Sequence, residues 1–324
     1  MSAPLIGRLA PSPTGAQHLG NARTYLLAWL SIRSRAGRLI LRIEDIDSPR
    51  VKPWAVQQAI DDLHWLGLDW DEGPDCGGPN APYVQTERLE RYREALDELR
   101  RAERVYPCTC TRSDVAAAAS APHVGQEGPI YPRLCAARRA ADVEQLCDRP
   151  FAWRFRTGDE LVTFDDRVAG RQACRVAEQL GDYVIGKLDG SPAYQLAVVV
   201  DDHAMGVTEV LRGDDLIPST FRQIELYEFL GWQPPQFAHV PLVVGPDGRR
   251  LAKRHGDTRL SQLREAGVPP ERVIGLLAQS CGLRPTAEPV RAAELLADFD
   301  LGRVNHEPWV LTEDAWRALM MKKD

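Results

Sequence analysis

The order of elements predicts an α/β fold: a parallel sheet with crossover helices, broken by an insertion and followed by a helical region. Three observations carry this. Strand and helix patterns alternate with short connections over the first hundred residues; the alternation stops at Cys108; and after Gly245 only helical spacing remains.

Ile6–Leu9 reads as a short strand entering the turn-rich loop Pro11-Ser12-Pro13-Thr14-Gly15. A helix follows over Asn21–Arg35, its apolar stripe formed by Tyr25, Leu26, Trp29, Leu30 and Ile32. Gly37 is placed to end it in a left-handed C-cap. Arg38–Ile43 is nearly all apolar, as a buried parallel strand should be. Helices are expected near Trp54–Leu66 and Glu87–Glu103. The Cys-, Ala-, Pro- and Arg-rich stretch from Tyr106 to about Arg175 reads as an insertion, with short antiparallel strands at Phe151–Arg156 and Leu161–Phe164. The α/β pattern resumes with Ala193–Val200, Gly206–Leu211 and a helix from about Ser219 to Leu230. Leu260–Arg264, Glu271–Cys281, Val290–Leu296 and Glu313–Met321 all read as helical.

The chain's 324 residues are enough for two or three domains, and its apolar and charged fractions are ordinary for a globular protein. No stretch approaches the ~20 apolar residues that span a bilayer, and Met1–Arg8 lacks the basic head and apolar run of a secretory signal. No membrane partner and a cytoplasmic location are therefore expected. A net charge of −6 is unlike a whole-surface nucleic-acid binder, so any RNA must meet local basic patches. Seven Cys, an odd number, argue against a disulfide framework and leave metal binding or plain burial.

Two stretches suggest phosphate chemistry. Arg8-Leu9-Ala10-Pro11-Ser12-Pro13-Thr14-Gly15-Ala16-Gln17-His18-Leu19-Gly20-Asn21 lies between a strand and a helix N-terminus, where open α/β folds bind ligands and free N–H groups favour anions. There His18 can face a phosphate and Gly20 lets a flat base approach the backbone, although a lone His is more often structural. Gly248-Arg249-Arg250-Leu251-Ala252-Lys253-Arg254-His255-Gly256 is a Gly-bounded basic loop. It is either a solvated basic loop or a closable one whose Lys253 meets the charge of a phosphoryl transition state.

Taken together, His18-Leu19-Gly20-Asn21 resembles the HIGH motif of class I aminoacyl-tRNA synthetases, and Arg250-Leu251-Ala252-Lys253-Arg254 resembles their KMSKS loop. The prefix Arg-x-Ala-Pro-Ser-Pro-Thr-Gly resembles the glutamyl branch, as do Arg42–Asp47, Ala193–Ala197, Val200-Asp201-Asp202, Gly206–Gly213 and His239–Leu242. The resemblance implies that His18, Gly20, Asn21 and Lys253 serve ATP, with His18 and Lys253 catalytic. It implies that Arg8, Ser12, Glu44, Tyr194 and Arg212 bind glutamate. Two arginines and one carboxylate complement the two carboxylates and one ammonium of that amino acid. The alternative for Glu44 is an ion pair with Arg42 or Arg38. Val198 stands where glutamyl-tRNA synthetases usually carry Asn, and Ala252 replaces the first Ser of the loop.

Cys108-Thr109-Cys110 followed by Tyr131-Pro132-Arg133-Leu134-Cys135 is either a set of buried thiols or a zinc site. The arrangement resembles the glutamyl-Q tRNA(Asp) synthetases. That resemblance implies zinc held by Cys108, Cys110, Tyr131 and Cys135; Cys76, Cys147, Cys174 and Cys281 read as core or bystander thiols. It further implies a Rossmann-type catalytic domain split over 1–105 and 176–245, an insertion with the zinc site over 106–175, and the KMSKS-like loop with a stem-contacting helical domain over 246–324. About seventy residues after the loop scarcely suffice for an anticodon reader.

The implied reaction is activation of L-glutamate by ATP with Mg²⁺, without tRNA, followed by transfer to queuosine in tRNA(Asp), by a monomer. Local grips for the RNA are expected at Arg133, Arg138, Arg139, Arg249, Arg250 and Arg254. The competing readings are a truncated glutamyl-tRNA synthetase charging tRNA(Glu) and a silent tRNA-binding paralogue.

Overall fold

The computed structural model describes residues 4–46, 51–118, 130–147, 149–251 and 258–321. Strand β1 (Ile6–Leu9) is buried throughout and leads into helix α1 (Leu19–Arg33) and strand β2 (Arg38–Leu41). β1 and β2 pair in parallel, Ile6 opposite Arg38. A Cβ on Gly7 would lie 2.4 Å from Ile32 Cγ1, so the glycine lets α1 pack directly on β1. The run Leu26–Ile32 is buried on every face, so α1 is a central helix and not one with a single apolar stripe.

Past α1 the left-handed residue is Ala36 (φ 53°), not Gly37. Gly37 is required for a different reason: a Cβ there would stand 2.9 Å from the Leu5 carbonyl oxygen. Helices α2 (Pro53–Trp65) and α3 (Leu89–Arg101) follow. The stretch from Tyr106 onward contains β3 (Val105–Cys108), α4 (Arg112–Ala118), β4 (Ala152–Phe155), β5 (Leu161–Asp166), β6 (Gly170–Arg175), α5 (Val176–Gln179) and β7 (Tyr183–Gly186). β4 sits antiparallel between β3 and β7, while β5 pairs antiparallel with β6. The two strands expected here exist, but each pairs with other neighbours.

Ala193–Val200 lies almost wholly on a helix, α6 (Tyr194–Ala204). Its Leu196, Ala197, Val199 and Val200 share a core with Tyr92, Ala95 and Leu99, with Trp153 and Phe155, and with Leu226, Tyr227 and Leu230. Strand β8 (Glu209–Gly213), helix α7 (Ile217–Phe229) and strand β9 (Gln236–Val240) complete the alternation, with β8 and β9 parallel. Thr208 ties β8 to β1: its N–H donates to the Ile6 carbonyl (2.8 Å) and its Oγ1 accepts from Ile6 N (2.9 Å). The two parallel pairs therefore stand side by side, with the ends of β1 and β8 opening at one edge.

Beyond lie β10 (Val243–Val244), α8 (Leu260–Glu265), α9 (Pro270–Ser280), β11 (Trp309–Val310) and α10 (Glu313–Met320). Strand structure does continue past Gly245, since β11 returns to pair in parallel with β10. The helix expected at Val290–Leu296 is a short 3₁₀ turn, Ala292–Leu295. Arg23 of α1 reaches this region, donating to Ser280 Oγ at 3.2 Å and to the Pro241 carbonyl. Among the described residues, no helix is long and apolar enough to cross a membrane.

Candidate active site

The ends of β1 and β8, the start of α1 and the N-terminus of α6 surround a cavity of ≈ 550 Å³. Arg8, Ser12, His18, Gly20, Asn21, Glu44, Tyr194 and Arg212, eight residues singled out in the sequence, all line it. Lys253, with Ala252 and Arg254, lies outside the described residues. Of its flanks, Leu251 N donates to the Val243 carbonyl (3.3 Å) and the Thr258 carbonyl accepts from Leu19 N (3.2 Å). Arg250 lines the cavity with its guanidinium 2.7 Å from Asp215.

His18 is the N-cap of α1. Its Nδ1 accepts from Gly20 N (3.1 Å) and Asn21 N (3.3 Å), and Asn21 Oδ1 accepts from His18 N (3.1 Å), a reciprocal capping box. This pattern assigns the ring proton to Nε2. Burial, reinforced by the nearby Arg250 charge, lowers the imidazole to about 4, so it is neutral near pH 7. His18 is thus a neutral hydrogen-bond donor, not a cation. Gly20 keeps this geometry: a Cβ there would press on the His18 ring at 3.0 Å.

The other end of the cavity holds charge. Arg8 is buried, with Nη1 donating to the Leu211 carbonyl (3.3 Å) and Nε 3.6 Å from Asp202. Glu44 pairs with Arg42, as the alternative reading had it, while also lining the cavity; Arg38 pairs with Glu72 instead. Burial pushes the Glu44 carboxyl up, against the pull of Arg42 and Arg8. Arg212, also buried, has only neutral partners among the described residues: Thr220 Oγ1 and Gln223 Oε1 (both 2.7 Å), His239 Nε2 (3.1 Å) and Tyr194 Oη (3.4 Å).

A second cluster lies at the end of β3. The sulfurs of Cys108, Cys110 and Cys135 all lie within 4.8 Å of one another, and Tyr131 Oη is 3.3 Å from Cys108 Sγ and 3.7 Å from Cys110 Sγ. Four thiolate and phenolate donors suit zinc. A tetrahedral Zn–S bond of about 2.3 Å places sulfurs about 3.8 Å apart, and Cys110 and Cys135 stand 3.5 Å apart. Cys174 and Cys281 are buried elsewhere, and Cys76 and Cys147 are exposed.

Residues 5–316 match the family described as class I tRNA synthetases (E and Q), catalytic domain. The chain belongs to that family. It is 52% identical to a glutamyl-Q tRNA(Asp) synthetase of Rhodopirellula baltica over 97% of this chain and 98% of that protein. With another so named from Symbiobacterium thermophilum, identity is 54% over the same shares. The crystal structure of a glutamate tRNA ligase from Elizabethkingia meningosepticum, in complex with its amino acid, superposes with a TM-score of 0.83 at 30% identity. It covers 97% of this chain and 68% of that one. The architecture is accordingly the class I synthetase fold with mixed α/β content, and membership implies ATP, glutamate and tRNA as partners.

Other residues of this synthetase escaped the sequence reading. Asp201 and Asp202 stood only inside a resembling run. They hold arginines at and behind the cavity, with Asp202 3.6 Å from Arg8 and 2.7 Å from Arg42, and Asp201 2.6 Å from Arg88. Asp166 and His239, behind Arg212, were given no role; His239 was visible within His-Val-Pro-Leu, whereas nothing marked Asp166. Several of the arginines expected to grip RNA have partners within the protein. Arg133 is held by Asp182 (3.0 Å) and the Thr157 carbonyl (3.2 Å). Arg138 is held by the Pro107 carbonyl (3.1 Å) and Thr109 Oγ1 (3.2 Å). Both brace the segment around the Cys cluster. Arg139 is exposed, 3.4 Å from Glu103, and Arg254 lies outside the described residues.

Proposed function

We propose that this synthetase activates L-glutamate with ATP in the absence of tRNA and passes the glutamyl group to queuosine in tRNA(Asp). The observation that carries glutamate activation is Arg212, a buried guanidinium without an acidic partner among the described residues, facing the same cavity as Arg8 and Glu44. Such a cation needs an anion. Arg8 and Arg212 take the two carboxylates, Glu44 takes the ammonium, and Tyr194 and Ser12 complete the polar wall.

The α-carboxylate oxygen attacks the α-phosphorus of ATP. The bond to the bridging oxygen breaks, and pyrophosphate leaves with the electron pair. His18 donates its Nε2–H to a phosphate oxygen, and Lys253 supplies a positive charge from the loop that follows Arg250, a lining residue of the cavity. Gly20 and Asn21 shape the ATP side. Mg²⁺ carried by ATP would supply further positive charge to the phosphate oxygens. An RNA hydroxyl then attacks the glutamyl carbonyl; the bond from that carbon to the AMP phosphate oxygen breaks, AMP departs with the electron pair, and the hydroxyl proton is released.

The queuosine acceptor rests on the relatives, whose printed name is that of enzymes acting on tRNA(Asp) and which this chain matches over nearly their whole length. Cys108, Cys110, Cys135 and Tyr131 would hold a structural zinc, making the segment that carries them a zinc-containing insertion. The test of the activation step is exchange of labelled pyrophosphate into ATP without tRNA. Exchange that depends on glutamate supports it; an absolute requirement for tRNA contradicts it.

A further inference from the structure

We infer that Asp166 and His239 form a relay that orients Arg212 for a substrate carboxylate and fixes its hydrogen-bond polarity; this rests on the proposed glutamate pocket. Both are positioning residues. β8 and β9 run in parallel with Arg212 opposite His239, so the imidazole stands beside the guanidinium. Asp166, at the end of β5, closes the line, with Oδ2 2.6 Å from His239 Nδ1.

The chain of donors has one consistent direction. Asp166 is held ionised: burial opposes this, but the His239 ring and the N–H groups of His239, Ala169 and Val168 outweigh it. A carboxylate 2.6 Å from Nδ1 needs the ring proton there. Burial, with the Arg212 charge adding to it, lowers the His239 pKa and keeps the ring singly protonated. Nε2 is therefore bare, and it accepts from Arg212 Nε–H at 3.1 Å. Thr220 Oγ1, which also stands 2.9 Å from Nε2, and Gln223 Oε1 accept from Nη2. The guanidinium plane is fixed, Nη1 is left beside Tyr194 at the cavity, and the negative charge of Asp166 stays one ring away. Direct contact with a carboxylate would satisfy Arg212 and remove its need for the substrate. The interposed imidazole orients the cation without quenching it.

Asp166→Asn tests this sharply. The Asn Oδ1 can keep the backbone contacts while its amide N–H faces Nδ1. The ring proton then moves to Nε2, and Arg212 Nε–H loses its acceptor. Nitrogen-15 NMR reads the tautomer, and pyrophosphate exchange reads KM for glutamate and for ATP. The expected result is a shift of the proton from Nδ1 to Nε2. KM for glutamate should rise on the order of tenfold to a hundredfold, with KM for ATP and the melting temperature little changed. Arg212→Leu runs beside it. If Arg212→Leu leaves KM for glutamate unchanged, the pocket reading falls and the relay with it. If Arg212→Leu raises that KM, an Asp166→Asn protein that keeps its tautomer, or loses it without a change in KM, overturns the relay alone. Should Asp166→Asn fail to fold, the comparison is His239→Gln with His239→Leu. The Gln amide oxygen can replace Nε2 as acceptor, so it should bind glutamate at least about tenfold better than the Leu variant; equal KM values would overturn the relay.

Discussion

Arg42 and Glu44 lie two residues apart just beyond β2 and form a buried ion pair, Nη2 2.9 Å from Oε1. Arg42 also meets Asp202 at 2.7 Å and Asp201 at 3.8 Å. Arg8, Arg42 and Arg88 thus balance Glu44, Asp201 and Asp202 one for one, and Arg212 is the surplus charge of the wall. Glutamate, with two negative groups and one positive, brings the opposite surplus.

Arg42→Met should therefore destabilise the protein by about 3–5 kcal/mol, because it strands Glu44 and Asp202, which no other cation among the described residues reaches as closely. Urea denaturation measures this. A loss within about 1 kcal/mol would show that Arg42 does not hold the network.

His18→Asn separates cap from chemistry. Asn caps helices as well as any residue, so α1 should keep its stability while the Nε2–H donor is lost. Adenylation turnover should fall on the order of a hundredfold to a thousandfold, as when one donor to a developing oxyanion is removed. Turnover within a few-fold of the parent would assign His18 to the cap alone. The variant should also flatten the acid dependence of stability. The His18 pKa falls from 6.5 unfolded to about 4 folded. Its contribution is fully present above 6.5 and is lost as the pH drops to about 4, at most about 3 kcal/mol.

Protein purified without added metal should carry one zinc per chain by elemental analysis, and a chelator should lower its melting temperature. Zinc close to absent, with Cys108→Ser melting like the parent, would leave the cluster as buried thiols.

Much of the cavity was legible because its residues sit in short runs tied to strand ends and a helix N-terminus, where spacing in sequence translates directly into proximity. What lay across the chain was not. The Asp166–His239–Arg212 line joins three separate strands, and no local pattern marks such a meeting. Nor could the arginines that brace the Cys cluster be told from arginines free for RNA. Composition reports charge, whereas Arg133 is occupied by Asp182, 49 residues away. Leu196–Val200 looked the same as strand or helix because α6 buries all five residues, which erases the periodicity that separates the two. Gly37 was read as a left-handed cap, but that conformation falls on Ala36, and the need at Gly37 is room beside Leu5.

The central claim is the acceptor. The most direct measurement is charging of queuosine-bearing tRNA(Asp) from which the 3′ adenosine alone has been removed. Labelled glutamate should still attach, through an ester to the cyclopentene-diol that mild alkali cleaves, and tRNA(Asp) lacking queuosine should remain uncharged. Complete loss of charging on the shortened RNA, or charging of tRNA(Glu) at its 3′ end instead, would contradict it.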